Sequence, residues 1–301
     1  MGKRIDTYCG PLADGNRSDL EMLEARGHYL LQGKVDGWWG ELGAGLASRD
    51  RHQLVSRAGL PIEGTGLNEL DLGPIGQGTR VVVEVDHGTE AANERITKLG
   101  YVRAPMHDLL WFKDHDLRDM PYHMRWELLR DAIWPMLPEE AQRRLPLVEC
   151  TDHNFTQFYD RILAEGGEGV VAKDINSVYS SRDSNGKTPH WIRVKPWRTV
   201  DYFVVCDART DGGSLTVQLG LMRNGKPEPI LKYQLKDVRL VDGQLMRVVN
   251  GKAAMPAIGQ VVEMRGRELF KSGSLRSAQP VRWRDDKTAE MCTGLVEFME
   301  L

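Results

Sequence analysis

The stretch LLQGKVDGWWGEL, residues 30–42, ends an apolar run on a lysine, turns through Asp36 and Gly37, and resumes with two tryptophans. Its pattern predicts a strand, a tight turn and a second strand. Lys34 then stands at the end of a strand, immediately before the turn, with its amine at the rim of a cleft. If Trp38 and Trp39 continue the second strand, their side chains face opposite sides of the sheet. A protonated lysine is a weak nucleophile; neighbouring cations or desolvation make the neutral amine accessible. The K-x-D-G pattern alone carries little weight, because chance supplies it in roughly one chain in ten to fifteen of this length.

Outward from this stretch the chain reads as short strands with intervening helices. HYLLQGKV, HQLVSRAG and TRVVVEVD have strand character, as do YVRAPMHDLLWF, EGVVAKD and WIRVKPW. RSDLEMLEAR predicts a helix with Ser18 as N-cap and Glu21 completing a capping box. GTEAANERITKLG predicts a helix closed by Gly100, and NFTQFYDRILAEGG one stopped by two glycines. YHMRWELLRDAIWPML has helical periodicity until Pro135 disturbs it. From about residue 199 the pattern changes to short strands separated by Gly- and Asn-containing turns, which suggests a small antiparallel barrel or sandwich. The expected boundary gives domains 1–198 and 199–301.

Composition sets the frame. The chain has 301 residues, 41% hydrophobic and 28% charged, which suits a soluble globular protein. A formal net charge of −3 argues against coating nucleic acid through bulk charge, while leaving room for a local basic groove. Cys9, Cys150, Cys206 and Cys292 are far apart and show no C-x-x-C spacing, so neither a zinc ribbon nor a disulfide framework is expected. The N-terminal stretch lacks an apolar signal core and no apolar run approaches a membrane span. A cytoplasmic protein without membrane association is expected.

The chemistry-bearing residues gather around Lys34. Arg57 lies at the end of the next strand candidate. Glu84 sits among valines, where an unpaired carboxylate is costly unless it meets a metal or hydrogen-bond donors. Glu168 opens the strand EGVVAKD. Alternation in WIRVKPW sets Arg193 and Lys195 on one face and Ile192 and Val194 on the other. Two cations, two carboxylates and a lysine in a β-rich cleft suit a metal–triphosphate. Near the C-terminus, MRGRELFKSGSLRSAQPVRWRDDK is locally basic, with Arg265, Arg267, Lys271, Arg276, Arg282, Arg284 and Lys287. Acidic residues interrupt the run, so a solvated surface competes with a phosphate-contacting face.

The ordered series KVDG, SRAG, VVVEV, HDLLWF, EGVVAK and WIRVK, followed by RWRDDK, resembles the ATP-dependent DNA ligases, within the covalent nucleotidyltransferases. The likeness runs from about residue 29 to 290. It implies an α+β fold: a nucleotidyltransferase domain of antiparallel sheets with flanking helices, then an OB-fold β-barrel domain. It implies that Lys34 attacks the ATP α-phosphate to form a lysyl–AMP, with Arg193 and Lys195 neutralising the phosphate. Gln32, where most ligases carry Glu, would lie near the adenine. Arg57 and Glu84 would address the ribose and phosphate side. His107 stands where Phe usually stacks on the purine, and Lys187 where many ligases have Arg. Glu168, with Glu84, would bind Mg²⁺ or Mn²⁺. Arg284, Asp286 and Lys287 match an R-x-D-K motif that helps orient pyrophosphate. Arg265, Arg267, Lys271, Arg276 and Arg282 would contact DNA. Trp39 replaces a usual Arg, for which Arg49 and Arg51 are candidate substitutes.

The implied partner is nicked duplex DNA, held by a monomer that clamps it between two domains. The implied reaction seals a 5′-phosphate to a 3′-OH through adenylated DNA. With 33 residues ahead of Lys34, only the two core domains are expected. An RNA ligase or a capping-type guanylyltransferase is the alternative, separable by GTP labelling of Lys34. A degenerate nucleic-acid-binding module is the non-enzymatic one, opposed by the retained Lys34, Glu168 and Lys195.

Overall fold

Alternating burial along short strands builds the first sheet of the computed structural model. β2 (Tyr29–Gly33) lies between β9 (Val170–Asp174) and β8 (Cys150–Thr151), antiparallel to both. β10 (Thr188–Val194) is antiparallel to β9, and β1 (Leu12–Gly15) completes the edge parallel to β10. Tyr29, Leu31, Val170, Ala172 and Val194 turn toward Leu20 and Leu23 of α1 (Asp19–Ala25) and toward Phe155 and Tyr159 of a helix at Phe155–Ala164. Each such side chain contributes about 1.5–3 kcal/mol on burial. Gln32, Val171, Lys173 and Arg193, one step out of phase, occupy the other face and line a cavity.

The second sheet runs β4 (His52–Ser56), β3 (Trp38–Ala44), β5 (Arg80–Val85), β6 (Met106–Phe112), β7 (His115–Asp116), all antiparallel. Leu42, Leu54, Val81, Val83 and Val85 join one apolar cluster with Val171 and Trp191 of the first sheet. Helices α2 (Glu90–Leu99), α3 (Tyr122–Glu127), α4 (Glu139–Arg144) and α5 (Phe155–Ala164) flank the strands in sequence. Within the core, Arg125 and Asp108 are both fully buried. Arg125 donates to the two Asp108 carboxylate oxygens at 2.8 and 2.9 Å and also bonds the Met120 carbonyl.

The chain divides into two compact units, Met1–Lys195 and Pro196–Leu301. In the second, β11 (Trp197–Asp211), which begins ahead of residue 199, is central. The sheet order is β13 (Lys226–Leu235), β12 (Ser214–Arg223), β11, β17 (Val261–Gly266), β20 (Gln279–Arg284), antiparallel throughout, with β21 (Glu297–Met299) also on β11. β14 (Val238–Val241), β15 (Gln244–Val249) and β16 (Lys252–Ala254) form a three-stranded sheet between β13 and β17. β18 (Glu268–Leu269) and β19 (Leu275–Arg276) make a small hairpin. Counting the five principal strands in chain order, the order 3-2-1-4-5 is that of an OB-fold.

The structure describes residues 12–44, 52–73, 78–86, 90–113, 115–179, 188–211, 214–235, 238–241, 244–249, 252–254, 256–294 and 297–299. No helix among them is long and apolar enough to cross a membrane. One local expectation needs correction. Ser18 is helical and makes no side-chain capping bond; the Asp19 carboxylate instead accepts from the Asn16 N–H, two positions ahead of the expected Ser18–Glu21 box. Trp38 and Trp39 differ in surroundings as opposite faces require: 47% of Trp38 is exposed, whereas Trp39 packs against the core. Around Pro135 the helix is disturbed as expected: it widens into a π turn at Leu128–Ile133, then tightens at Trp134–Met136.

Candidate active site

Backbone clamps set the nucleophile's position. The Gly33 N–H donates to the Glu149 carbonyl at 2.9 Å and the Lys34 N–H to the Gly169 carbonyl at 2.8 Å. Gly169 has φ +138°, and a Cβ there would stand 2.2 Å from the Val194 oxygen, so no other residue fits between Glu168 and the strand it opens. Past the lysine, a Cβ on Gly37 would meet the Val85 oxygen at 2.3 Å, which explains the glycine of KVDG. The intervening turn is anchored by α2: Arg95 donates to the Asp36 carbonyl at 2.6 Å and to Asp86 at 2.8 Å. Asp86, 1% exposed, takes a second charge-assisted bond from Arg103 at 3.1 Å.

Lys34 projects into a cavity of about 310 Å³. Arg57, Glu84, Arg193 and Trp39 line it with Lys34, and Gln32, His107, Lys173 and Trp191 complete the wall. The Lys34 ammonium meets one oxygen of Glu168 and the Lys195 ammonium meets the other. All three groups are half-buried, so the bridging carboxylate interacts strongly with both cations. Arg193 pairs with Asp14 of β1 at 2.6 Å. Trp39 stands opposite Glu84 in the β3–β5 register and packs against the core.

Burial dominates the electrostatics of the opposite wall. It pushes the Glu84 carboxyl up to about 7, against the opposing pull of Lys34, Arg57 and Lys195. His107 is held well below its ordinary value by burial, then by Lys173 and Lys34. Although His107 Nε2 lies 3.9 Å from Glu84, the neutral imidazole makes this a polar contact rather than an ion pair. Among the described residues no cluster of three or more His, Cys, Asp or Glu side chains could hold a metal by itself. A half-buried carboxylate beside a phosphate pocket nevertheless suits Mg²⁺, which takes one or two carboxylates and completes its shell with water and phosphate oxygens.

The expected residues of the first unit thus gather: Gln32, Lys34, Arg57, Glu84, His107 and Arg193 share the cavity, and Glu168 and Lys195 join through Lys34. Lys187, Arg49 and Arg51 lie outside the described residues. Lys173 was missed. It is 3% exposed, donates to the His107 carbonyl at 3.0 Å, and sits 4.6 and 4.4 Å from the Tyr122 and Trp191 ring centres. Alternation from Val171 within EGVVAK was the available signal.

In the second unit, Arg284 bonds Asp286 through two nitrogens, at 2.7 and 2.6 Å, and Glu263 at 3.1 Å, while Lys287 pairs with Asp201. Arg284 holds the exposed Asp286 carboxyl well below the usual range. Arg265 and Arg267 stack on the Trp197 ring at 4.4 and 3.6 Å. Arg282 bonds Glu263 at 2.8 Å, and Lys271 and Arg276 are exposed.

Residues 78–195 match the family profile described as ATP dependent DNA ligase domain. A probable DNA ligase of Mycolicibacterium gilvum is 31% identical over 206 residues, covering 60% of this chain and 38% of the relative. A DNA ligase of Methanosphaerula palustris is 30% identical over 224 residues, covering 68% of this chain and 38% of the relative. The chain therefore spans about two fifths of these relatives' length. A solved structure from a structure–function analysis of Lig E DNA ligases superposes with a TM-score of 0.61 at 15% identity, covering 91% of this chain and 99% of the other, which establishes the shared fold.

Proposed function

We propose that this chain, a member of the ATP-dependent DNA ligase family, itself seals nicked duplex DNA, using Lys34 as the nucleophile toward ATP. The observation that carries the reading is the Lys34 amine, clamped at a strand end inside a cavity that also gathers Arg57, Arg193, Lys173, Glu84 and the Trp39 and Trp191 rings. The amine attacks the α-phosphate, a P–N bond forms and pyrophosphate leaves. AMP then passes to the 5′-phosphate at a nick, and the adjacent 3′-OH displaces it as the phosphodiester closes.

Phosphoryl transfer depends mainly on position and on charge stabilisation. Arg193 and Lys195 supply positive charge for the α-phosphate, Arg57 and Glu84 face the sugar and phosphate side, and Gln32, His107 and Lys173 face the base. Glu168 and Glu84 are the carboxylates for Mg²⁺ or Mn²⁺, which would neutralise charge on the phosphate oxygens. Before attack, Lys34 must lose its proton and its hold on Glu168. A cation at Glu168 competes with both ammonium groups, so nucleotide loading and release of the amine are coupled.

Arg265, Arg267, Lys271, Arg276 and Arg282 serve backbone phosphates, with Trp197 orienting the first two by stacking. Arg284, Asp286 and Lys287 serve pyrophosphate departure, although at rest Arg284 is engaged with Asp286, Glu263 and Asp201 and Lys287 with Asp201. The protein acts as a cytoplasmic monomer. The test is intact mass after incubation with Mg²⁺ and either ATP or GTP, followed by nicked DNA and nicked RNA side by side. An AMP adduct discharged only by nicked DNA is expected. Loading by GTP alone, or discharge by RNA alone, would refute the reading.

A further inference from the structure

The wall around Gln32 carries a hydrogen-bond chain whose direction depends on a residue behind it. Gln32 Nε2 donates to the Tyr122 hydroxyl at 2.6 Å, and that hydroxyl donates to the His107 carbonyl at 3.3 Å. The same carbonyl accepts from Lys173 at 3.0 Å. Gln32 and Tyr122 are 2% and 0% exposed, so water does not readily replace these partners. A phenol has one proton to give. Burial, reinforced by Asp108, pushes the Tyr122 hydroxyl well above its ordinary value, so it keeps that proton. While the proton is spent on His107, Gln32 can offer Tyr122 only an N–H. Its carbonyl Oε1 accepts no hydrogen bond from any described residue, and Gln32 lines the cavity.

We propose that Tyr122 sets purine selectivity by holding the Gln32 amide with its carbonyl toward the cavity, so that a 6-amino purine is accepted and a 6-oxo purine disfavoured. This rests on the cavity being the ATP site. Gln32 precedes Lys34 by two residues, about 7 Å along extended chain and on the same face, a separation that suits a base whose α-phosphate meets the amine. Adenine presents an amino donor beside a ring acceptor. Hypoxanthine presents a carbonyl acceptor beside an N–H donor. The Gln32 carbonyl with the Lys173 ammonium, an acceptor and a donor, complements the first.

Reversing the amide requires Tyr122 to turn its proton onto Oε1 and give up His107. That bond is the longest in the chain, and Lys173 still satisfies the carbonyl it leaves. Tyr122 therefore confers a moderate selectivity of roughly tenfold, the net worth of one ordinary hydrogen bond. A carboxylate at position 32 has no donor and cannot reverse at all.

Inosine triphosphate is the probe, because it differs from ATP at the 6-position edge. Loading of wild-type protein, Tyr122→Phe and Gln32→Glu with ATP or ITP is followed by intact mass. Wild type is expected to favour ATP by roughly tenfold. The ratio should fall toward unity in Tyr122→Phe and rise above wild type in Gln32→Glu. A packing role alone would slow both nucleotides equally, so an unchanged ratio in Tyr122→Phe overturns the proposal. Should that variant not fold, a Gln32→Glu ratio at or below wild type overturns it too. Calorimetric binding of AMP against IMP repeats the comparison without covalent chemistry. If wild type binds both and loads neither, lysyl transfer fails, while the AMP-to-IMP ratios still decide the role of Tyr122.

Discussion

Replacing Glu84 by Gln should stabilise the protein, and by an amount that grows with pH. The folded Glu84 carboxyl is pushed up to about 7 from its ordinary value of 4.5, chiefly because it is buried. The unfolded chain therefore releases this proton first, and between those values the folded state holds more protons. Stability falls as pH rises through that window and stays lower above it. Each unit corresponds to about 1.36 kcal/mol, so the penalty reaches at most about 3 kcal/mol above about pH 8 and is near 1 kcal/mol at about pH 5. Glutamine has the shape and neutrality of the protonated acid. Equilibrium urea unfolding of both proteins across about pH 5 to 8.5 measures the gap directly. A gap that stays constant, or a variant less stable than wild type at the alkaline end, would refute the reasoning. A site that retains such a carboxylate retains it for chemistry at the expense of stability.

The remaining tests are shorter. Lys34→Arg should abolish the AMP adduct, because a guanidinium stays protonated and cannot attack; intact mass reads this directly. Glu168→Ala should lower loading by at least about a hundredfold, with only partial recovery in excess Mg²⁺, since Lys34 and Lys195 lose the carboxylate they share; loading at the wild-type rate would make Glu168 structural. Trp39 packs on the core while lining the cavity, so Trp39→Ala should cost about 3 kcal/mol in urea unfolding and also weaken nucleotide binding. A binding defect without loss of stability would contradict its packing role.

Local pattern made much of this legible. Period-two alternation set Arg193 and Lys195 apart from Ile192 and Val194, because a strand's faces depend only on the backbone, and the strand-end position of Lys34 put its amine at a cleft. The glycine after Glu168 and the one in KVDG mark close backbone approaches that no other residue tolerates. What escaped was decided by partners distant in the chain. Arg95 and Asp86 anchor the Asp36 turn through a side chain some sixty positions away, and neither carries a local signature. Tyr122 reaches Gln32 across ninety residues. In the R-x-D-K run, Arg284 and Lys287 are drawn to Asp201 and Glu263, acidic residues on neighbouring strands that spacing does not reveal. Ser18 does not cap because its own backbone is already helical, and the Asp19 carboxylate meets the Asn16 N–H two positions upstream of the expected box.

The buried Arg125–Asp108 pair bears on how this pocket can change over generations. Removing either partner strands a charge in a dry core, a loss of about 3–5 kcal/mol, whereas replacing both with well-packed apolar residues is neutral or favourable. The two acceptable states are thus separated by single-substitution intermediates that consume a large part of a domain's total stability. Asp108 is the neighbour of His107, and Arg125 lies one helical turn beyond Tyr122, so the immovable pair underpins the segment bearing both. Gln32, on a different strand, is tied to that segment only by a neutral hydrogen bond to Tyr122 and not by a buried charge pair. Drift can therefore retune the base-facing amide one substitution at a time, while the frame behind it stays locked until two changes arrive together.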